Sequence, residues 1–423
     1  MKYQDAIDFL FPLHRFGMKP GLERVLKLLH AAGEPQKRLG RVVHIAGTNG
    51  KGAVASSLAA ICCAGGYSTG LYTSPHLLSY TERIRVNGDM ISESQIAEYC
   101  SVLKDDITEG NATFFEATTA IAFMYFCAMQ VDVSVIETGM GGRLDATNVV
   151  EPDHVIIPSI SEDHTSWLGE TIGEIATEKA AIIKKGASVY TAVEDPEALK
   201  VILDRADAVG AKVRLLKESA ECVVHGAGVG RLEFSLKAPG LNMRNLVAPV
   251  TGDFHASNLS LAVLAASEAG IDEPAIRQGL LSMRRFGYRA RLERLSKQPD
   301  VLLDVSHNPA GIEKSVQTLC AMRGAYRNII VLLGLVHDKE AGKIVRYLKR
   351  LTSDVITVDL LTERGMTAIE LGDLCRDEGL QVTVTASVRE ALGAVDCKAE
   401  KEDLVLITGS FYLAGEVLGV LGY

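Results

Sequence analysis

Short apolar runs rich in β-branched residues alternate with longer stretches of helical period along nearly all of this 423-residue chain. Residues 41–46 (RVVHIA), 70–73, 131–137 (VDVSVIE), 155–159 and 188–193 read as strands, and each is apolar on both faces. Residues 51–64, 93–104, 114–130 and 171–184 read as helices between them. A strand that is apolar on both faces must be covered on both, and a helix after each strand supplies the cover. The pattern therefore predicts a doubly wound, mostly parallel α/β sheet.

Residues 212–250 break the rhythm with alternating segments (VRLLKE, CVVHG, RLEFSLK, NLVAPV), which predict a small antiparallel insertion. Helices follow near 255–269 and 273–283, and then the basic joint Arg284-Arg285-Phe286-Gly287-Tyr288-Arg289. Beyond it the strand-like runs 301–304, 328–333, 354–358, 381–384 and 403–407 begin a second series, which predicts a smaller Rossmann-like α/β domain. Two domains are expected, residues 1–286 and 287–423, in keeping with the ceiling on a single hydrophobic core.

Charge and cysteine usage exclude several classes. With 44 Lys and Arg against 53 Asp and Glu the formal charge is −9, so nucleic acid and anionic membrane are not expected partners. The most apolar stretch, residues 117–131, is shorter than the roughly 18 residues of a spanning helix and carries Thr and Gln. The opening MKYQDAIDFLFPLHRF lacks the layout of a secretory or transit leader, so a cytoplasmic protein is expected. Eight scattered cysteines without a CxxC pair support neither a disulfide framework nor a zinc site.

The sharpest local signal is His44-Ile45-Ala46-Gly47-Thr48-Asn49-Gly50-Lys51-Gly52, which leaves an apolar strand and opens a helix of small residues. Glycines let backbone N–H groups curl around phosphate oxygens, the helix start adds its dipole, and Lys51 adds a mobile cation. The strict Walker pattern fails at both ends, because Ile45 stands at the first glycine and Gly52 replaces the metal-binding hydroxyl. Thr73-Ser74-Pro75-His76, at the end of the next strand, offers a hydroxyl at the same sheet edge. Glu137 ends the third strand and runs into a glycine-rich loop, TGMGGRLDATN, as an Mg²⁺ site beside a triphosphate needs. Ser161-Glu162-Asp163-His164 brings an imidazole to that edge, and Lys179 lies on a helix followed by apolar residues.

Together HIAGTNGKG, LYTSPHL with ERIRVNG, IETGMGGRLDATN, EDHTSWLG, EKAAIIK, His255-Ala256-Ser257-Asn258, Arg291-Leu292-Glu293, DVSHNP (304–309), Gly334 with Asp338-Lys339, and GSFYLAGE (409–416) resemble the folylpolyglutamate synthase and dihydrofolate synthase family of the Mur ligase group. The resemblance covers nearly the whole chain. It implies a P-loop-type first domain and an ATP-dependent ligase that joins L-glutamate to dihydropteroate or to the γ-carboxylate of a folate, with ADP and phosphate released. The acid would first become an acyl phosphate, which the glutamate amine then attacks.

The resemblance further implies that Gly47, Thr48, Asn49, Gly50, Lys51 and Gly52 hold the phosphates of ATP, and that Ser74 and Glu137 bind one Mg²⁺. His164 and Glu137 would hold a second Mg²⁺, with Lys179 as a carbamate beside it. Asn258 would meet the adenine, and Arg291 and Asp304 would complete the ATP site. Asp145 and Arg83 would serve the pterin-bearing acid, His307 and Ser410 the incoming glutamate, and a monomer is expected. The chain departs from the family pattern at Ala53 for Ser, Ala181 for Gly, Ala256 for Gln, and Arg289-Ala290-Arg291 for Pro-Gly-Arg. Two alternatives keep parts of this reading: a Mur-type ligase for another acid, and a nucleotide hydrolase that joins nothing.

Overall fold

A computed structural model describes residues 1–16 and 21–423. Eight strands form the first sheet: β1 (Arg41–Ile45), β2 (Thr69–Tyr72), β3 (Ile84–Val86), β4 (Asp89–Met90), β5 (Val133–Glu137), β6 (His154–Ile157), β7 (Ser188–Thr191) and β8 (Lys212–Leu215), in the order β4-β3-β2-β5-β1-β6-β7-β8. All neighbours pair in parallel except the hairpin β3–β4 and its join to β2, which are antiparallel. From β1 the chain crosses to β2, fills in β5 on the same side, and then moves to β6 on the other. That reversal opens a crevice at the carboxyl ends of the strands, where such sheets bind ligands.

Helix Lys51–Ala64 follows β1 and is buried from Ala53 to Cys62 on every side, because its residues are small or apolar all round. Gly279 lets helix Glu273–Ser282 close onto it, since a methyl group there would stand 2.4 Å from Ile61 Cα. One face of the sheet packs Tyr72, Ile84, Val86 and Ile136 against Leu10, Leu28, Ile96, Ile121 and Phe123. Farther along the same face, Val155, Ile157 and Val189, in register with His44 and Ile136, pack against Ile175, Ile183 and Ile202. Each such fully buried side chain contributes on the order of 1.5–3 kcal/mol.

Three longer strands, β9 (Glu221–Gly228), β10 (Arg231–Ala238) and β11 (Leu241–Ala248), form a separate sheet in the order β11-β10-β9. Their tight turns admit only antiparallel hairpins. The expected insertion is therefore present, but VRLLKE is not its first strand. Residues 212–215 pair in parallel with β7 and close the edge of the main sheet. Burial alternates along that half-covered edge, and this produced the antiparallel signature.

The last sheet contains β12 (Glu293–Ser296), β13 (Asp300–Leu303), β14 (Ile329–Leu333), β15 (Asp354–Val358), β16 (Gln381–Thr385) and β17 (Leu404–Thr408), ordered β12-β13-β17-β14-β15-β16. Only β12 runs antiparallel. Its core gathers Leu302, Val331, Leu333, Val355 and Leu406 with Ile312, Ile344 and Leu371 from the covering helices. Contacts divide the chain into two compact units. The first is Met1–Val223, Ser235–Leu246 and Ser257–Tyr288, and the second is Val224–Phe234, Val247–Ala256 and Arg289–Tyr423.

Candidate active site

The loop between β1 and helix Lys51–Ala64 is stitched to the loop after β6. Thr48 N–H donates to Ser159 O at 2.9 Å and Asn49 N–H to Ser159 Oγ at 3.0 Å, while Thr48 Oγ1 donates to Ser161 O at 3.0 Å. Gly50 caps the helix with φ +89°, a conformation that favours glycine, and a methyl group there would stand 2.5 Å from Asn258 Oδ1. No side chain caps this helix, so its first N–H groups and the positive end of its dipole are available to an anion.

Two lysines converge on one oxygen of that loop. Lys51 Nζ donates to Gly47 O at 3.0 Å and reaches Thr48 O at 3.4 Å, and Lys179 Nζ donates to the same Gly47 O at 3.1 Å. Lys179 is buried, and burial together with the charge of Lys51 pushes its pKa down to about 7. Its helix, Ile172–Ala180, is started by a reciprocal cap between Thr171 and Glu174. The helix ends at Ala180, four residues short of the expected 184, and Ala181 takes φ −64°, which needs no glycine. Gly142 lets the loop after β5 lie on this helix, because a methyl group there would stand 2.6 Å from Glu178 O. Arg143 reinforces the contact through Glu178 at 2.8 Å.

Glu137 sits opposite Ile45 at the tip of β5 and is buried. Ser74 N–H approaches Glu137 Oε2 at 3.4 Å, so two of the expected metal residues meet. His164 lies in a left-handed conformation after β6, with Nε2 3.9 Å from Asp163 Oδ1. Asp163 is in turn one of the negative charges acting on Lys179. Sequence reasoning missed Asp163, although an acid directly before a histidine at a strand end was its signal. Among the described residues no cluster of three or more His, Cys, Asp or Glu side chains could hold a metal. The expected set contains only Glu137 and His164 of those types, beside a serine and a lysine. Thr138 Oγ1 and Ser161 Oγ are buried without a partner at the same strand ends. An edge supplied with carboxylate and hydroxyl oxygens fits a hard cation such as Mg²⁺.

Asp145 is buried, and its carboxylate accepts Met140 N–H at 3.0 Å, Thr147 N–H at 3.0 Å and the Thr147 hydroxyl at 2.5 Å. Burial raises its pKa despite these donors. Asp145 acts electrostatically on Tyr72, whose ring centroid lies 5.9 Å from that of Phe115. Arg83 is buried as well, with Nε donating to His76 Nδ1 at 2.7 Å and the guanidinium 5.1 Å from the Phe114 ring centre. Tyr72 and Phe114, with Phe115 packed against them, belong to the hydrophobic core beneath this region.

In the second unit Asp304 follows β13 and is buried, accepting the Ser315 hydroxyl at 2.6 Å. His307 Nδ1 donates to Val305 O at 2.9 Å, and its ring lies 5.8 Å from Phe411. Arg291 lies over the same Phe411 ring, with its guanidinium 5.0 Å from the centre. Ser410 caps helix Phe411–Leu421 by accepting Leu413 N–H at 3.0 Å.

Comparison with known proteins places these features in one family. The Mur ligase middle domain matches residues 45–266, and the Mur ligase glutamate ligase domain matches residues 290–411. Dihydrofolate synthase/folylpolyglutamate synthase of Bacillus subtilis (strain 168) is 34% identical over 428 residues, covering 98% of each chain. The solved structure of Escherichia coli FolC in complex with DHPP and ADP superposes with a TM-score of 0.89 at 31% identity, covering 100% of this chain and 98% of that one. Mycobacterium tuberculosis folylpolyglutamate synthase complexed with ADP gives a TM-score of 0.89 at 30% identity, covering 99% of both chains. Likeness of this extent, over both units, establishes that the chain belongs to the dihydrofolate synthase/folylpolyglutamate synthase family of Mur ligases.

Proposed function

We propose that this chain is an ATP-dependent carbon–nitrogen ligase that adds L-glutamate to the γ-carboxylate of a reduced folate and also to dihydropteroate. The observation that carries this reading is the end-to-end match to relatives bearing both activities in their names. A carboxylate oxygen is a very poor leaving group, and transfer of the γ-phosphoryl group of ATP makes it a good one. Lys51, now bonded to carbonyls of its own loop, would turn to the transferring phosphoryl group, and the N–H groups at the helix start would hold its neighbours. Asn258, against Gly50, is assigned to the adenine, and Arg291 and Asp304 to the remaining nucleotide contacts.

Mg²⁺ would be held by Ser74 and Glu137, and a second ion by Glu137 and His164, supplying positive charge where the phosphoryl oxygens develop negative charge. Lys179 fits a carbamate, because its buried amine loses its proton near neutrality and carbamate formation needs the neutral amine. Asp145 and Arg83 are assigned to the pterin-bearing acid, and His307 and Ser410 to glutamate. We assign residues 1–286 to ATP and the acid and residues 287–423 to glutamate. We further propose a monomer working in the cytoplasm, and among the described residues no helix is long and apolar enough to cross a membrane.

The test is mass spectrometry of products after incubation with ATP, Mg²⁺, glutamate and either dihydropteroate or tetrahydrofolate. Gain of one glutamyl residue, with one ADP released per bond, is expected with both acids. Gain with neither acid refutes the proposal.

A further inference from the structure

The strand that leads into the phosphate loop carries a wholly buried histidine that the reaction above does not use. His44 lies in the centre of β1 between β5 and β6, and its Nε2 is 2.8 Å from Thr147 Oγ1. Thr147 is also wholly buried, and its hydroxyl lies 2.5 Å from Asp145 Oδ1. A hydroxyl has one hydrogen, and the Thr147 hydroxyl donates it to Asp145 Oδ1. His44 must therefore carry its proton on Nε2 and donate it to Thr147. The opposite tautomer would leave a donor N–H buried at Nδ1, which has no partner. Burial, with the charge of Lys184, pushes the His44 pKa down to about 3, so the ring stays neutral and the direction of the relay is fixed.

We propose that His44 is a positioning residue for substrate recognition: through the Thr147 hydroxyl it fixes the Asp145 carboxylate against the pterin-bearing acid. The proposal rests on the functional reading above. Asp145 stands within electrostatic range of Tyr72, which stacks near Phe115. A carboxylate held in place suits a heterocycle that carries N–H donors. Such a carboxylate discriminates only if it cannot rotate; Met140 N–H holds Oδ2 while the N–H and hydroxyl of Thr147 both hold Oδ1, and His44 keeps that hydroxyl turned toward Oδ1.

Steady-state kinetics of His44→Leu, His44→Gln, Thr147→Val, Thr147→Ser and the His44→Leu/Thr147→Val double variant test this, with thermal unfolding measured alongside. His44→Leu and Thr147→Val should each raise KM for dihydropteroate about tenfold, with kcat and KM for ATP within about twofold of the parent. The double variant should be no worse than either single one. Gln keeps an N–H near the position of Nε2 and Ser keeps the hydroxyl, so both should restore most of the lost affinity. Equal impairment by Gln and Leu, or additive losses in the double variant, would overturn the relay. So would a uniform fall in kcat that tracks lost thermal stability. A parent protein that ligates neither acid overturns the functional reading and this inference with it.

Discussion

The Gly47 carbonyl accepts from both Lys51 and Lys179, so its two lone pairs hold two amines close together, and the charge of Lys51 helps lower the pKa of Lys179. Lys51→Ala should reduce ligation on the order of 1,000-fold, read as ADP release with both co-substrates saturating, because no other cation of the loop can reach a phosphoryl group. Near-normal turnover would remove Lys51 from the chemistry. Lys179→Ala should cost on the order of 100-fold, with partial recovery on adding a small carboxylic acid that refills the vacated space. Full activity without additive would leave the ligase standing and end the carbamate proposal. Lys51 and Glu137 were legible in the sequence because strand, loop and helix signals flank them. The meeting of Lys51 with Lys179 was not, because it joins residues far apart in the chain through a single carbonyl.

Among the secondary-structure elements, the central strands and the parallel edge strand β16 were legible, and the antiparallel edges were not. β1, β5, β14 and β17 are apolar on both faces, so composition marks them wherever they fall. The hairpin β3–β4 and strand β12 are short and partly exposed, and their residues resemble loop. The turn between the helices of residues 273–286 and β12 is more informative. Ala290 takes φ +52° and Leu292 φ +47°, in the region that glycine adopts at least cost. Ala290 stands where the family pattern has Gly, so the departure noted in the sequence has a backbone consequence. Ala290→Gly should raise stability by about 0.5 kcal/mol, as the relief of strain exceeds the extra unfolded-chain entropy. Urea unfolding checks this, and a loss of stability would show that the buried methyl group contributes more by packing.

At the scale of the molecule, buried histidines make stability depend on pH. His44 and His255 are held neutral with pKa values near about 3, against an ordinary 6.5, by burial and then by Lys184 and Arg291. The unfolded chain binds the extra protons, so their contribution is complete above 6.5 and is lost as pH falls toward 3, at about 1.4 kcal/mol per pH unit for each histidine. Asp145 and Asp304, raised by burial, oppose this at the acid end. Lys179 extends the rise of stability with pH from about 7 toward 10.5. Urea midpoints measured from pH 4 to 7 should climb, and a flat profile would mean that the histidines are protonated in the fold. The division into two α/β layers was visible in the order of runs, whereas residues 224–234 and 247–256 join the second unit by contacts that no local pattern records. The short helix Thr165–Leu168 begins directly after His164, and it carries Trp167, 55% exposed and the only tryptophan in the chain. The protein consequently has a built-in optical probe one turn from its proposed metal site. Titration with a non-hydrolysable ATP analogue and Mg²⁺ should change its emission saturably. Trp167→Phe should silence that signal while turnover continues, giving nucleotide affinity without any attached dye.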